Sequence, residues 1–282
     1  MYCLARDTSL FDKGSVCSTE RVDDLNMDIK IIVAAHKEYW MPNDPMYLPL
    51  QVGSIGKPSL HPEWLRDDAG VNISNKNLNF CELTALYWAW KNLDSAYVGI
   101  THYRRYFACR LWGDQRTRIA TKPFIERKLQ KADVILPRKR HYWIETNYSQ
   151  YAHAHHEVDL LKTKEILAEL CPEYLPHWES VMRRTSGHRL NMLVFRRELL
   201  DAYCGWLFPL LFELEKRLDI SSYSRQDARV FGFISERMLD IWLEKNGIRY
   251  ASMPVVHLEN QHWPKKIGAF LKRKMVRGRR CT

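Results

Sequence analysis

Two guanidiniums, an imidazole and two phenols occupy five consecutive positions, His102-Tyr103-Arg104-Arg105-Tyr106, directly after the apolar run Tyr97-Val98-Gly99-Ile100-Thr101. Arginine stays charged at any relevant pH and offers paired hydrogen bonds to phosphoryl oxygens, so the cluster suits a diphosphate. A surface loop whose arginines pair with carboxylates is the alternative, and the segment alone does not choose between them. The stretch from Asn147 to Asp159 adds His153, His155, His156 and Asp159. On a continuous helix, His155 and Asp159 would share a face at i and i+4, a spacing that can hold a metal or simply orient an imidazole. Contact with sugar-like hydroxyls suits these groups better than metal ligation.

Glu236 sits in Gly232-Phe233-Ile234-Ser235-Glu236-Arg237, a carboxylate within an otherwise apolar amphipathic stretch. There it could accept the proton of an attacking hydroxyl, or form a plain surface pair with Arg237. Asp227, near the start of the same stretch, is a second candidate base or a carboxylate placed for the helix dipole. Glu82 and Thr84 precede an aromatic helix face, where first-turn stabilisation is the plainer role. Gly53 and Gly56 form a lone G-x-x-G that would let backbone approach a nucleotide, which is weak evidence by itself. Trp88, Trp90, Trp206 and Trp242 lie in helical stretches and are assigned to the core.

The elements that must position these groups alternate. Ile29–Ala35 reads as a buried first strand delivering His36 at its carboxyl end, the end at which open α/β sheets bind ligands. Residues 51–56 suggest a second strand and turn, residues 79–92 a helix, and 97–101 a second buried strand. A helix over about 122–131, a strand at 133–136, helices over 148–170 and 172–184, and a strand at 190–195 follow. Two further helices, at 197–218 and 226–245, precede a final strand within 248–257. The pattern predicts one α/β domain over residues 27–260, with a mostly parallel sheet and a helix-rich C-terminal half. Residues 1–26 read as an irregular leader and 261–282 as a basic amphipathic tail.

Composition limits the function classes. A chain of 282 residues, 46% hydrophobic, can bury a sizeable core. Seven scattered cysteines without a C-x-x-C pair fit neither a disulfide framework nor a zinc site, so a reducing compartment is expected. No apolar run approaches the ~20 residues of a spanning helix, and no signal peptide is evident. Of the formal net charge of +10, eight positive charges fall in residues 261–282 with no acid, which leaves the body at +2. A general nucleic-acid-binding surface is therefore not indicated. Lys265, Lys266, Phe270, Leu271, Lys272, Arg273 and Lys274 combine helical apolar spacing with cations, the pattern of an interfacial helix on anionic lipid. A solvated basic end is the alternative.

Several spaced blocks carry a resemblance to a family. They are Val33-Ala34-Ala35-His36-Lys37, Asn72-Ile73-Ser74 with Asn77, Cys81 through Asn92, and Val98 through Phe107. Later blocks are Tyr151-Ala152-His153 through Asp159-Leu160, Asn191-Met192, Tyr203 through Phe208, and Arg229 through Arg237. From about Ile29 to Leu258 the chain resembles bacterial galactofuranosyltransferases of capsule, exopolysaccharide and O-antigen synthesis, long filed as a domain of unknown function. The resemblance implies a GT-A-like, Rossmann-like nucleotide-sugar fold, UDP-galactofuranose as donor and inversion to a β product on a lipid-diphosphate-linked glycan. It also implies a cytoplasmic enzyme, peripheral on the inner face of the plasma membrane. His36, Gly53, Glu82, Thr84, His102, Tyr103, Arg104 and Arg105 are then expected at the donor. His155, His156, Asp159, Asn191, Arg229 and Arg237 are expected around donor or acceptor, with Glu236 as base and Asp227 second. GT-A enzymes usually carry D-x-D where this chain has His102-Tyr103-Arg104, so the use of manganese or magnesium stays open. A pyranose donor, UDP-galactose or UDP-glucose, and a non-catalytic scaffold of a polysaccharide assembly complex are the competing readings. Oligomeric state is not legible.

Overall fold

The computed structural model describes residues 26–259. Strands β1 (Ile29–Ala35), β2 (Tyr47–Gln51) and β3 (Leu65–Arg66) come first, followed by helices α1 (Asn77–Phe80) and α2 (Leu83–Asn92) and strands β4 (Tyr97–His102) and β5 (Arg105–Phe107). Helix α3 (Lys122–Leu129) leads to β6 (Val134–Pro137) and β7 (Arg140–His141), then to α4 (Asn147–Ala154), α5 (Glu157–Leu170) and α6 (Leu175–Arg183). Strands β8 (Ser186–Gly187) and β9 (Leu193–Arg196), helices α7 (Arg197–Arg217) and α8 (Val230–Lys245), and strands β10 (Tyr250–Met253) and β11 (Val255–His257) complete the order.

The main sheet runs β10-β6-β9-β4-β1-β2-β3, with β5 and β11 attached beside β4; β7 and β8 form a separate ribbon. All neighbours along the main path are parallel except β9, which is antiparallel to both β4 and β6. Two antiparallel pairings in succession restore direction, so β6 and β10 point the same way as β1, β2 and β4. Their carboxyl ends share one edge, and β9 starts from that edge.

Alternation along β1 explains why both faces are covered. Ile32 and Ala34 join a core with the helices α2, α5, α6, α7 and α8, while Ile29, Ile31, Val33 and Ala35 join a second core with Tyr106, Phe107, Ile119 and Ile125. Such two-sided burial is what a continuous β-branched run requires. Gly99 permits the close fit of β4 on β9, because a Cβ there would lie 2.8 Å from the Leu193 carbonyl oxygen. No helix among the described residues is long and apolar enough to cross a membrane.

Several expected elements are divided. The helix expected over 79–92 breaks at Cys81, whose φ of 53° and ψ of −129° lie outside helical geometry. The helix expected over 148–170 breaks at His155-His156, both of extended backbone, so His155 and Asp159 do not share a helix face. The second strand is Tyr47–Gln51, with residues 52–56 turning away from it. Pro254 divides the last strand into β10, which pairs with β6, and β11, which pairs with β5.

Candidate active site at the carboxyl edge of the sheet

The edge at which β1, β2 and β4 end is built first by a buried carboxylate. Asp67, fully enclosed, accepts from Gly53 N at 2.8 Å, Ser54 N at 2.9 Å, Ser74 Oγ at 2.6 Å and Thr84 Oγ1 at 2.8 Å. Four donors satisfy its charge and tie the loop after β2 to α2. Gly53 has φ of +60°, and a Cβ there would meet Asn77 Oδ1 at 2.6 Å, so glycine is required by the loop itself. The Thr84 hydroxyl is spent in the same network and its side chain is buried. Nothing in residues 67 and 68, a Asp-Asp pair inside a polar loop, singled out Asp67 in the sequence.

A second knot fixes the entry to β9. Leu190 has φ of 89°, unfavourable for its side chain, and Asn191 follows at 48°, a left-handed value that asparagine tolerates. Three elements hold them there. His102 Nε2 donates to the Leu190 carbonyl at 2.8 Å, which assigns its proton to Nε2. Glu236 Oε1 accepts from Leu190 N at 2.9 Å. Asn191 Nδ2 donates to Glu82 Oε1 at 2.8 Å and to the Gly232 carbonyl at 3.0 Å, while Ser235 Oγ donates to Asn191 Oδ1 at 2.8 Å. Glu82, His102, Asn191 and Glu236, far apart in the chain, thereby meet around one strained turn.

The electrostatics around this turn are uneven. Burial, and then the charges of Arg104, Lys37, Lys57 and Arg229, push the His36 pKa down, which marks a positive field at the end of β1. His102 is likewise held below its usual value, first by burial, and is neutral at pH 7. Arg105 is half-buried; desolvation lowers its pKa, and no side chain among the described residues hydrogen-bonds or ion-pairs with it. Arg104, 39% exposed, is bound to Glu259 at 2.9 Å and lies 5.0 Å from the Tyr103 ring centroid. Tyr103 Oη lies 3.4 Å from His36 Nε2, and Lys37 shares Glu259 at 3.5 Å. Lys37 and Glu259 had no distinguishing signal beyond their proximity to strand ends.

Glu236 contrasts with these cations. Burial pushes its pKa up, against the lowering charges of Arg237 and Arg189 and the Leu190 amide, and Glu82 adds to the rise. Its Oε2 accepts from Arg237 Nη1 at 3.4 Å, the pair that the sequence offered as the alternative, and its side chain keeps 16% of its surface open. Arg237 donates to the Phe233 carbonyl at 2.9 Å and to Gln150 at 2.7 Å, with only 3% exposure, and burial lowers its pKa to about 10. It packs at 4.7 Å over Tyr151.

Arg229 links the basin to a histidine cluster. Its Nε donates to Cys81 Sγ at 3.1 Å, and its guanidinium lies 5.5 Å from the Phe233 ring, on whose plane His155 stacks at 4.2 Å. Burial raises the Cys81 pKa to about 11, so the thiol stays protonated. His155 Nδ1 lies 3.3 Å and His156 Nε2 3.9 Å from Asp227, which also accepts from Ser224. That Ser224 bond, ahead of the histidines, holds Asp227 below the usual carboxylate range despite some burial. Asp159 accepts from Tyr151 and Tyr223, both at 2.7 Å, and is buried. Its separation from His155 replaces the i, i+4 pair expected from sequence. His153 turns to Glu145 at 2.8 Å.

Among the described residues no group of three or more His, Cys, Asp or Glu side chains is placed to hold a metal. Glu82 accepts from Asn191, Glu236 from Leu190, and His102 donates to the Leu190 carbonyl, while the Glu82 carboxylate keeps an oxygen free of hydrogen bonds from the described residues. The tail positions Lys265, Lys266, Phe270, Leu271, Lys272, Arg273 and Lys274 lie outside the described residues.

Near its carboxyl edge the α/β sheet gathers the cations Arg104 and Arg105 and the partly buried carboxylate of Glu236. The fold is similar to that of a solved glycosyltransferase, the WbbM bifunctional glycosyltransferase in its apo form, with a TM-score of 0.77 and 28% identity over 83% of this chain and 46% of that one. The chain thus spans less than half the length of that protein. No curated protein matches the chain. A family described as Domain of unknown function (DUF4422) matches residues 30–247, and the chain belongs to that family.

Proposed function

We propose that the chain is a glycosyltransferase that moves galactofuranose from UDP-galactofuranose to a lipid-diphosphate-linked glycan, with inversion to a β linkage. The observation that carries the reading is Arg105, a half-buried cation without a pairing side chain among the described residues, in the same electrostatic neighbourhood as Arg104, Arg229 and Glu236. The Glu82 and Glu236 charges offset its desolvation only through space, and a nucleotide diphosphate would supply oxygens for it to bond directly. The likeness to half of a protein named as a bifunctional glycosyltransferase supports the same class. The donor sugar and its furanose form follow from the sequence resemblance.

In this mechanism the diphosphate lies against Arg104 and Arg105, with Tyr103, His102 and His36 along the same wall. Glu236 accepts the proton of the acceptor hydroxyl while that oxygen bonds to the anomeric carbon from the face opposite UDP. The bond from the anomeric carbon to the diphosphate breaks, and its electron pair leaves with UDP. Arg105 is worth most at that moment, because a preoriented cation in a partly dry site stabilises charge as it develops. No step is assigned to a metal. Asn191 and Glu82 hold the turn that carries Leu190 against Glu236, and His155, His156 and Asp227 flank the acceptor side.

A donor screen tests the proposal. Purified protein is given UDP-galactofuranose, UDP-galactose or UDP-glucose with a lipid-diphosphate-linked acceptor, with and without chelator. Transfer from UDP-galactofuranose alone is expected, and the chelator arm reads whether a divalent metal takes part. Preference for a pyranose donor would replace the sugar assignment, and absence of both UDP release and nucleotide binding would favour a scaffold.

A further inference from the structure

Trp143 and Ile144 are adjacent and keep 86% and 78% of their surface exposed. Their backbone is not relaxed. Ile144 N donates to the Tyr142 carbonyl at 2.7 Å across Trp143, whose φ is +63°. An i to i+2 bond around a positive-φ residue is a rare turn, strained for a bulky side chain. The turn is firmly based nonetheless: Tyr142 N donates to the Thr185 carbonyl at 2.8 Å, β7 pairs with β8, and Tyr142 Oη accepts from Arg189 Nε at 2.8 Å. A strained turn that lifts two large apolar side chains into water gains nothing inside the chain.

The surroundings are cationic. Arg138, Arg140, His141 and Arg183 are exposed around the ribbon, and Glu145, the next acid along the chain, is taken up by His153. The ribbon follows β6, whose carboxyl end shares the sheet edge with the candidate site. Arg189, which holds Tyr142, also donates to the Glu236 carbonyl at 3.2 Å.

We infer that the β7–β8 ribbon docks on an anionic lipid surface, with Trp143 and Ile144 entering the headgroup boundary and the flanking arginines binding phosphate headgroups. Tryptophan and a branched aliphatic beside cations are the composition of an interfacial anchor. A protein partner is the poorer fit, since two side chains at a tip fall far short of the roughly 800 Å² per partner of a stable interface. The docking stands on the ribbon's own chemistry; that it presents the basin to a lipid-linked acceptor rests on the proposed function.

The test uses the full chain with vesicles of phosphatidylcholine, with or without phosphatidylglycerol, and reads cosedimentation and quenching of tryptophan by bromolipid. The wild type should bind the anionic vesicles, and its fluorescence should be quenched. Trp143→Ser combined with Ile144→Ser should weaken partitioning by about tenfold and remove Trp143's share of the quenching, with the melting temperature and UDP binding unchanged. The quenching decides the matter where residues 261–282 also hold the protein on the vesicle. Quenching equal in wild type and double variant overturns the inference, as does a wild type that binds no vesicle. Loss of self-association in the double variant, with vesicle binding intact, would assign the tip to a second copy and also overturn it. Vesicle binding needs no donor, so failure of the glycosyltransferase reading would show separately, in the donor screen.

Discussion

Arg189 and Arg105 both lie within electrostatic range of Glu236, yet the chain holds them in opposite ways. Arg189 is 7% exposed and its donors are committed to Tyr142 at 2.8 Å, Asn147 at 2.6 Å, the Glu236 carbonyl at 3.2 Å and the His188 carbonyl. Behind it Asp240 accepts from His188 N at 2.8 Å and His188 Nδ1 at 2.5 Å. Arg105 has no such partner among the described residues, and its neighbour Arg104 is tied only to a partly exposed carboxylate. The difference separates architecture from readiness. A buried guanidinium whose donors are committed to fixed acceptors holds one geometry, whereas a cation without a bonded side chain is free to be completed by what binds.

The comparison can be broken at several points. Glu236→Gln keeps the Leu190 amide's acceptor but not the base, so kcat should fall about 10³-fold with little change in melting temperature. Comparable turnover in that variant would remove Glu236 from the proton transfer. Asp240→Asn leaves a buried donor facing His188 and should cost about 3 kcal/mol in chemical denaturation. Burial alone would raise the Asp240 pKa, but the His188 bond and the charges of His188, Arg189 and Lys139 leave it below the usual value. Its contribution is therefore complete above the unfolded carboxyl value, about 3.9, and lost as pH falls through the lower folded one. The stability gap between wild type and Asp240→Asn should accordingly narrow below about pH 4; a gap constant to lower pH would deny the carboxylate its role.

Smaller effects sharpen the rim. Arg105→Ala should lower kcat about 10²-fold, and Arg104→Ala less, because Arg104 already pairs with the Glu259 carboxylate. Equal losses would erase the distinction between them. Burial raises the Glu236 pKa, so activity should gain through an acid limb placed above the ordinary carboxylate value of about 4.3 as pH rises. An acid limb at or below that value in kcat would point to another base.

The strand-end half of the site was legible from sequence because β-branched runs such as Ile29–Ala35 announce buried strands, and polar residues directly after them must fall at the sheet edge. His36 and His102 to Arg105 follow from that logic alone. The turns were not legible. Cys81, Leu190 and Asn191 adopt positive φ without being glycine, and tertiary bonds with Glu82, His102, Gly232, Ser235 and Glu236 hold the last two in place. Helical composition through Cys81 and through His155-His156 masked both helix breaks for the same reason. The reversed strand β9 has an apolar sequence that reads identically in either direction, so its antiparallel pairing was invisible. Asp67 carries four hydrogen bonds from residues up to 17 positions away, a role that local spacing does not encode.

The most direct test of the whole account is the structure of the protein soaked with UDP. The diphosphate is predicted to lie within hydrogen-bond reach of the Arg105 guanidinium, with Glu236 facing the vacant sugar position. A UDP bound away from residues 102–106 would contradict it.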